Sequence, residues 1–199
     1  MMKRLFDLVV AAILLVLAAP LILVAGILIK LTSPGPIFFA HRRCGLRGRE
    51  LGCLKFRTMV QNAEDVLSND RELHALYRDG DFKIPRDRDH RVTKVGHLLR
   101  YTHVDELPQL INVLAGGMSL VGPRPIIAEE LEVYGDRADE LLSVRPGIFG
   151  IWTAQGKGRV PYPERAELEM KYVRNRTFSG DLVILARNLP VLMWGQTDD

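Results

Sequence analysis

Residues 8–29 read LVVAAILLVLAAPLILVAGILI, 22 positions without a charged or strongly polar side chain. A helix of that length rises about 33 Å, enough to cross a hydrocarbon core of about 30 Å. A buried core helix of a soluble domain is the alternative, but 22 uninterrupted apolar residues argue against it. A cleavable signal peptide fits poorly too, because the apolar stretch is too long and no small-x-small site with a polar flank follows it. Two features complicate a plain span. Pro20 sits near the midpoint, where it removes a backbone donor and crowds the preceding turn. Basic residues flank both ends, Lys3 and Arg4 before and Lys30, Arg42, Arg43, Arg47 and Arg49 after, whereas a spanning helix concentrates Lys and Arg on one side. A hairpin that returns to its starting face accounts for both features. A tilted, proline-kinked span is also compatible with the proline, and the residues alone leave the two open.

Outside this run the sequence is charge-rich and water-compatible. The 27 Lys and Arg against 24 Asp and Glu give a net charge of +3, too small for a dedicated nucleic-acid binder, so no nucleic-acid partner is expected. The 199 residues suit one domain, and 47% hydrophobic content excludes a wholly disordered chain. Cys44 and Cys53 form no CxxC pair and read as reduced thiols rather than a disulfide or zinc framework.

Past Lys30, residues 33–43 read as a turn followed by an apolar stretch at the membrane edge, and residues 45–59 as strand-like. Residues 63–77 carry Ala63, Val66, Leu67, Leu73 and Tyr77 at the spacing of one amphipathic helix. A helix starting near Asp105 is expected to bury Leu107, Leu110, Ile111 and Leu114. The Gly- and Pro-rich residues 116–125 read as irregular, 129–134 and 137–144 as short helices, and 145–152 as a turn and strand. Residues 163–175 read as a helix with proline at its first position, and 181–194 as a helix apolar enough to lie on a bilayer surface. The expected class is α/β with helix dominant, in one membrane-associated unit.

Chemistry concentrates around two adjacent acids. Asp105 and Glu106 stand at a helix start, with Pro108 confined to its first turn, so free N–H groups and the positive helix end favour one ionised carboxylate. Repulsion between neighbours raises the other's proton affinity, which suits a general base. Acids at a helix start also serve as ordinary caps, and taken alone they carry no chemistry. Downstream, GPRP (residues 122–125) holds Arg124 on a rigid turn, where a guanidinium can grip a phosphate with two parallel bonds. Lys55, Arg57, Arg91 and Arg100 add cations nearby, and acids beside cations close to a membrane suggest a phosphorylated substrate held with a divalent ion. The five histidines lack zinc spacing, and there is no Walker loop or dinucleotide fingerprint.

SPGPIFF (residues 33–39), KFRTM (55–59), RYTHVDELPQLINVLAGGMSLVGPRP (100–125) and RPGIFGIW (145–152) together resemble the small monotopic phosphoglycosyl transferases, the bacterial sugar transferase family. The resemblance covers nearly the whole chain, and DELPQL followed by SLVGPRP is its most specific part. It implies transfer of a sugar-1-phosphate from a UDP-sugar to undecaprenyl (polyprenol) phosphate, with release of UMP through a covalent phosphosugar–aspartate intermediate. Asp105 is the implied nucleophile and Mg2+ ligand, and Glu106 its carboxylate partner. The implied substrate-binding set is Arg124, Pro123, Arg100, Lys55, Arg57, Arg145 and Lys157. Ala19-Pro20 matches the break of a re-entrant helix-break-helix. That implies residues 1–32 as a membrane hairpin and 33–199 as a cytoplasmic catalytic domain with amphipathic interfacial helices, the two forming one unit on the inner membrane. Downstream glycosyltransferases would be the partners that receive the product. The sequence departs from the family pattern at His41, where Gln is commoner, at His103, where a small hydroxyl residue is usual, and at Lys157, where Arg is typical. Two rival readings remain: direct transfer in a ternary complex with Glu106 as base and Asp105 only a metal ligand, and a membrane-anchored scaffold without catalysis.

Overall fold

A computed structural model of the chain describes residues 2–82, 84–85, 87–153 and 160–194. The apolar run lies within one helix, α1 (Met2–Thr32), which continues through Pro20 instead of breaking there. The expected helix-break-helix is therefore a single helical element. A proline forfeits only its own donor, and the other bonds of a 31-residue helix carry the backbone across it.

One face of α1 docks along the rest of the chain, and the docking is polar at the start and apolar at the end. Lys3 Nζ donates to Val121 O (3.1 Å) and to Asp181 Oδ2 (2.6 Å). Arg4 donates to Val113 O (2.8 Å) and Leu114 O (3.3 Å), placing a cation on the last carbonyls of α5 (Gln109–Leu114). Buried Asp7 accepts from Ser119 Oγ (2.8 Å) and the Leu120 N–H (3.2 Å) of β3 (Ser119–Val121). Near the other end, Ala25 and Ile29 pack with Phe56, Leu99 and Val104. Between these anchors Ile13, Leu14, Val16, Leu17, Leu21, Leu23 and Val24 stay exposed. From Asp7 to Ala25, about 27 Å of helix thus separates two attachments to the same domain.

Two small sheets frame the domain. β1 (Phe38–Cys44) and β2 (Glu50–Phe56) form an antiparallel hairpin that pairs Phe39 with Lys55 and His41 with Cys53. Side chains alternate across a strand, so Phe39, His41 and Arg43 share one face with Leu51, Cys53 and Lys55. The second sheet is a parallel pair, β3 with β4 (Gly147–Phe149). The strand in β3 falls inside residues 116–125, expected to be irregular. The three residues Ser119, Leu120 and Val121 are fully buried between α1 and β4, and tertiary pairing overrides the local Gly and Pro content.

The 63–77 segment forms two helices, α2 (Ala63–Asn69) and α3 (Arg71–Asp79), instead of one. Asp70 divides them by capping α3 through Leu73 N (3.0 Å), a local side-chain bond that competes with helix continuation. α4 (Lys94–Tyr101) starts at the Thr93 cap and packs Gly96 against the Thr58 carbonyl. The short helices α6 (Leu131–Tyr134) and α7 (Ala138–Leu142), and the longer α8 (Glu164–Asn175) and α9 (Phe178–Trp194), follow the expected order. The main core gathers Ala11, Leu110, Val113, Met118, Leu120, Val121, Tyr134, Met170 and Val173.

The β3–β4 pairing needs a residue without a side chain at its crossing. Gly147 N donates to Pro123 O (2.8 Å), Gly122 N to Phe149 O (3.0 Å), and a Cβ on Gly147 would lie 2.0 Å from Gly122 N. Gly147→Ala is therefore expected to cost more than about 3 kcal/mol and to lower the melting temperature sharply, since backbone on both sides must move. A melting temperature within a few degrees of wild type would show that this crossing is not rigid.

Candidate active site

The two acids precede α5 on a tight turn, Val104–Glu106, where they were expected inside the helix's first turn. The chain enters that turn through His103, held at φ 56°, the left-handed region that favours glycine. The N–H groups of Glu106 and Leu107 are spent on His103 O (3.2 Å) and Val104 O (3.2 Å), so these two do not serve the carboxylates. Asp105 is buried and Glu106 half-buried. Along α5, Leu110 and Val113 face the core while Ile111, expected inside, is exposed, because the turn rotates the helix phase relative to a helix begun at Asp105.

Asn112 locks this turn to the hairpin. Its Oδ1 accepts from Leu54 N (2.8 Å) and its Nδ2 donates to Gly52 O (2.8 Å), so the side chain pairs with the edge of β2 as a strand would. That register brings Lys55 Nζ to 3.0 Å from Glu106 Oε1. Burial opposes the Lys55 charge, but Glu106 and Asp105 outweigh it and raise the lysine's pKa. The ammonium is thus a fixed cation between the hairpin and both acids.

Arg43, Cys53, Lys55, Glu106, Gln109, Arg124, Gly147 and Trp152 line an open cleft. Arg124 reaches it from the turn that β3–β4 pairing fixes, with its guanidinium 5.8 Å from the Trp152 ring centre. One arm is engaged: Arg124 Nη1 donates to Glu130 Oε1 at 2.6 Å. Burial works against ionisation of Glu130, but Arg124, the Ile127 N–H, Arg43 and Arg165 hold it below the usual carboxylate range. His41, beside Arg43, is driven down to about 3 by burial and by the neighbouring cations Arg43, Lys55 and Arg124. A neutral imidazole offers one donor and one acceptor, the inventory of the amide commoner at this position, and its Nδ1 lies 3.0 Å from Arg43 Nη2.

Among the described residues, Arg57, Arg100, Arg145 and Pro123 are not in the lining of this cleft. Arg57 clamps the 33–36 turn, donating to Ser33 O (2.9 Å), Ser33 Oγ (2.7 Å) and Pro34 O. Arg100 Nε donates to Thr58 Oγ1 (2.9 Å), and exposed Arg145 donates to Gly116 O (2.8 Å). Pro123 is buried in the parallel pairing. Lys157 lies outside the described residues.

Among the described residues no three His, Cys, Asp or Glu side chains converge on a metal site. Two neighbouring carboxylates at a cationic cleft do fit the way Mg2+ is commonly held, by one or two acids together with substrate phosphates. Asp105 and Glu106 are the residues that would hold it.

The family model for bacterial sugar transferases matches residues 1–195. This chain belongs to the bacterial sugar transferase family. The exopolysaccharide production protein ExoY of Sinorhizobium fredii is 40% identical over 191 residues, 96% of this chain and 84% of that protein. The undecaprenyl-phosphate galactose phosphotransferase of Salmonella typhimurium is 41% identical over 96% of this chain, which spans 40% of that longer protein. The UDP-glucose:undecaprenyl-phosphate glucose-1-phosphate transferase of Caulobacter vibrioides is 39% identical over 96% of this chain and 69% of its own length. The chain is an enzyme of that transferase class, and its long apolar helix makes it membrane-associated.

In this sugar transferase, sequence reasoning missed Arg43, Glu130, Asn112 and Trp152 as parts of the cleft or its support. Arg43 was legible from period-two alternation, which puts it on the Lys55 face of the hairpin. Glu130 was not, because its partners come from three segments, at Arg43, at Arg124–Ile127 and at Tyr162–Arg165. Close behind the cleft, Glu169 accepts from Tyr134 Oη (2.6 Å) and Arg124 N (3.3 Å), and burial pushes it up to about 7 against the pull of Tyr134, Arg124 and Arg165. An unfolded chain releases this proton near 4.5. The folded state thus binds the extra proton between about 4.5 and 7, and stability falls as pH rises through that window. Thermal melts from pH 4.5 to 7.5 are expected to decline more steeply for wild type than for Glu169→Gln. Parallel slopes would refute the shift.

Proposed function

We propose that this sugar transferase moves a sugar-1-phosphate from a UDP-sugar to undecaprenyl phosphate and releases UMP. The observation that carries this reading is the Lys55–Glu106 ion pair in a cleft that Arg43 and Arg124 also line, with buried Asp105 adjacent to Glu106 in the same turn. The names of the Salmonella and Caulobacter relatives supply the donor and acceptor classes. A carboxylate oxygen of Asp105 attacks the sugar-proximal phosphorus, the bond from that phosphorus to the bridging oxygen breaks, and UMP leaves with the oxygen. An oxygen of the polyprenol phosphate then attacks the same phosphorus, with Glu106 accepting its proton, and Asp105 is released. Lys55 and the arginines offset charge on the diphosphate and orient it. Mg2+, when bound at Asp105, offsets the same charge. Glycosyltransferases that extend a lipid-linked sugar would consume the product.

The same proposal places the domain on the cytoplasmic face of the inner membrane, with α1 entering and leaving on that side. Its support is the docking of Lys3, Arg4 and Asp7 on the domain that also packs Ala25 and Ile29, with basic residues at both ends. A straight span would separate those ends by a bilayer.

A panel of UDP-sugars with undecaprenyl phosphate, read as UMP release, tests the chemistry. Turnover with at least one donor is expected, and no release from any would overturn the reading in favour of a scaffold. For topology, a cysteine at position 2 is expected to resist an impermeant thiol reagent in intact cells. Labelling there would establish a transmembrane span.

A further inference from the structure

Glu130 lies entirely inside the domain, yet it is ionised and every contact it makes is with a donor. Its Oε1 accepts from Arg124 Nη1 (2.6 Å), Tyr162 Oη (3.1 Å) and Arg165 Nη2 (3.4 Å), and its Oε2 from Ile127 N (2.9 Å) and Arg43 Nη1 (3.3 Å). Such a site has no room for a neutral amide, because one oxygen would become a donor facing donors. A buried carboxylate with this many partners is costly to assemble and needs a reason beyond stability. Two of its partners end at the cleft. Arg43 comes from the hairpin and Arg124 from the β3–β4 turn, segments that the Cys44 N–H to Ile126 O bond (2.8 Å) also joins at the backbone, while Glu130 joins the two side chains themselves. Left alone, the two guanidiniums would repel each other, and burial and Arg124 both act to lower the Arg43 pKa. Glu130 bridges them, both line the cleft that Glu106 also lines, and the second terminal nitrogen of Arg43 lies 3.0 Å from His41 Nδ1.

We propose that Arg43 and Arg124 together form the seat for the two phosphates of a nucleoside diphosphate donor, and that Glu130 is the positioning residue that sets their separation. Arg43 is then a binding residue alongside Arg124, and the seat is a preassembled pair of guanidiniums. The inference rests on the donor reading above and deepens it. A diphosphate spans two phosphorus atoms, and each of two guanidiniums tied to one carboxylate keeps N–H donors beyond those spent on Glu130 and His41 to offer one of them.

The test uses the full chain in detergent or nanodiscs, with UDP binding by calorimetry and steady-state kinetics for both substrates. Arg43→Lys keeps the charge and loses the fork, and it is expected to weaken UDP binding and raise the donor KM about tenfold or more, with acceptor KM and melting temperature unchanged. Arg42→Lys, on the opposite face of the strand, is the control and is expected to match wild type. Glu130→Gln is expected to raise donor KM further, and adding Arg43→Lys to it should cost little more, since both act through one unit. Glu130→Asp, which keeps the charge but withdraws it by one methylene, replaces Gln if that variant does not fold. Unchanged UDP binding in Arg43→Lys, fully additive effects, or a rise in acceptor KM equal to that for donor would each overturn the proposal. If wild type binds UDP but releases no UMP from any donor, and Arg43→Lys still weakens UDP, the transfer reading fails while the seat stands.

Discussion

Asp105→Asn is expected to abolish both UMP release and the covalent adduct, leaving less than about one part in a thousand of wild-type turnover. An amide of the same shape can neither attack phosphorus nor bind a cation as a carboxylate does. The amide has the shape of the carboxylate it replaces in this buried turn, so the fold should survive. Intact-protein mass after mixing with UDP-sugar alone reads the result directly. Wild type should gain one phosphosugar, and Asp105→Asn none. Glu106→Gln loses the ion pair to Lys55 but keeps the nucleophile, so it should still form the adduct, more slowly, and then lag in transfer to polyprenol phosphate. An adduct mapped to another residue would refute the Asp105 scheme. Donor cleavage that strictly requires acceptor in every variant would support the ternary-complex reading in its place.

Arg124→Ala is expected to produce the second largest effect, and the structure changes its character. Sequence reasoning gives a pure binding loss: two charge-assisted bonds to phosphate, about 1.5–3 kcal/mol each, or at least a tenfold to few-hundredfold fall in kcat/KM. The 2.6 Å bond to fully buried Glu130 adds a cost in stability, because truncation leaves that carboxylate short of a partner. Arg43, Arg165 and Tyr162 remain on Glu130, so roughly 2–3 kcal/mol is expected in place of the full cost of an orphaned charge. In a domain of this size that lowers the melting temperature by about 5–10 °C. Arg124→Lys separates the two roles. An ammonium can still pair with Glu130 and recover most of the stability, but it cannot also present a planar fork to phosphate, so activity should stay low. If Lys restored full turnover, the site would need only a positive charge there.

Much of the local order was readable in the chain. The apolar run had to form a membrane helix because a backbone surrounded by hydrocarbon must satisfy its own polar groups. The alternation in residues 45–59 predicted a strand, which is β2, while its partner β1 falls in a stretch read only as apolar; Pro163 marked the start of a helix that is indeed α8. What failed did so where a distant partner decided. Residues 119–121 are a strand only because 147–149 lie beside them, 26 positions or more away, and a Gly-rich segment carries no local sign of that pairing. The 63–77 helix divided at Asp70, whose side chain found a nearer N–H than a continued helix offered. Ile111 turned outward because a tight turn, not a helix, carries the acids.

The candidate site divides in the same way. Asp105, Glu106 and Arg124 could be named from motif spacing, since each belongs to a short segment with its own turn chemistry. Arg57 and Arg100 were equally basic, yet the fold directs the first to the 33–36 turn and gives the second a bond to Thr58. Charge type is written in one residue, but where that charge points depends on acceptors brought from elsewhere. By itself the sequence determined the membrane helix, the acid pair and the basic character of the cleft, because these depend on side-chain chemistry and near-neighbour geometry. Only the tertiary structure decided that both ends of α1 meet one domain, that Asn112 sets Lys55 against Glu106, and that Glu130 ties Arg43 to Arg124. Those are long-range pairings, made when packing closes loops of tens of residues and brings buried carboxylates and carbonyls to the donors that must satisfy them.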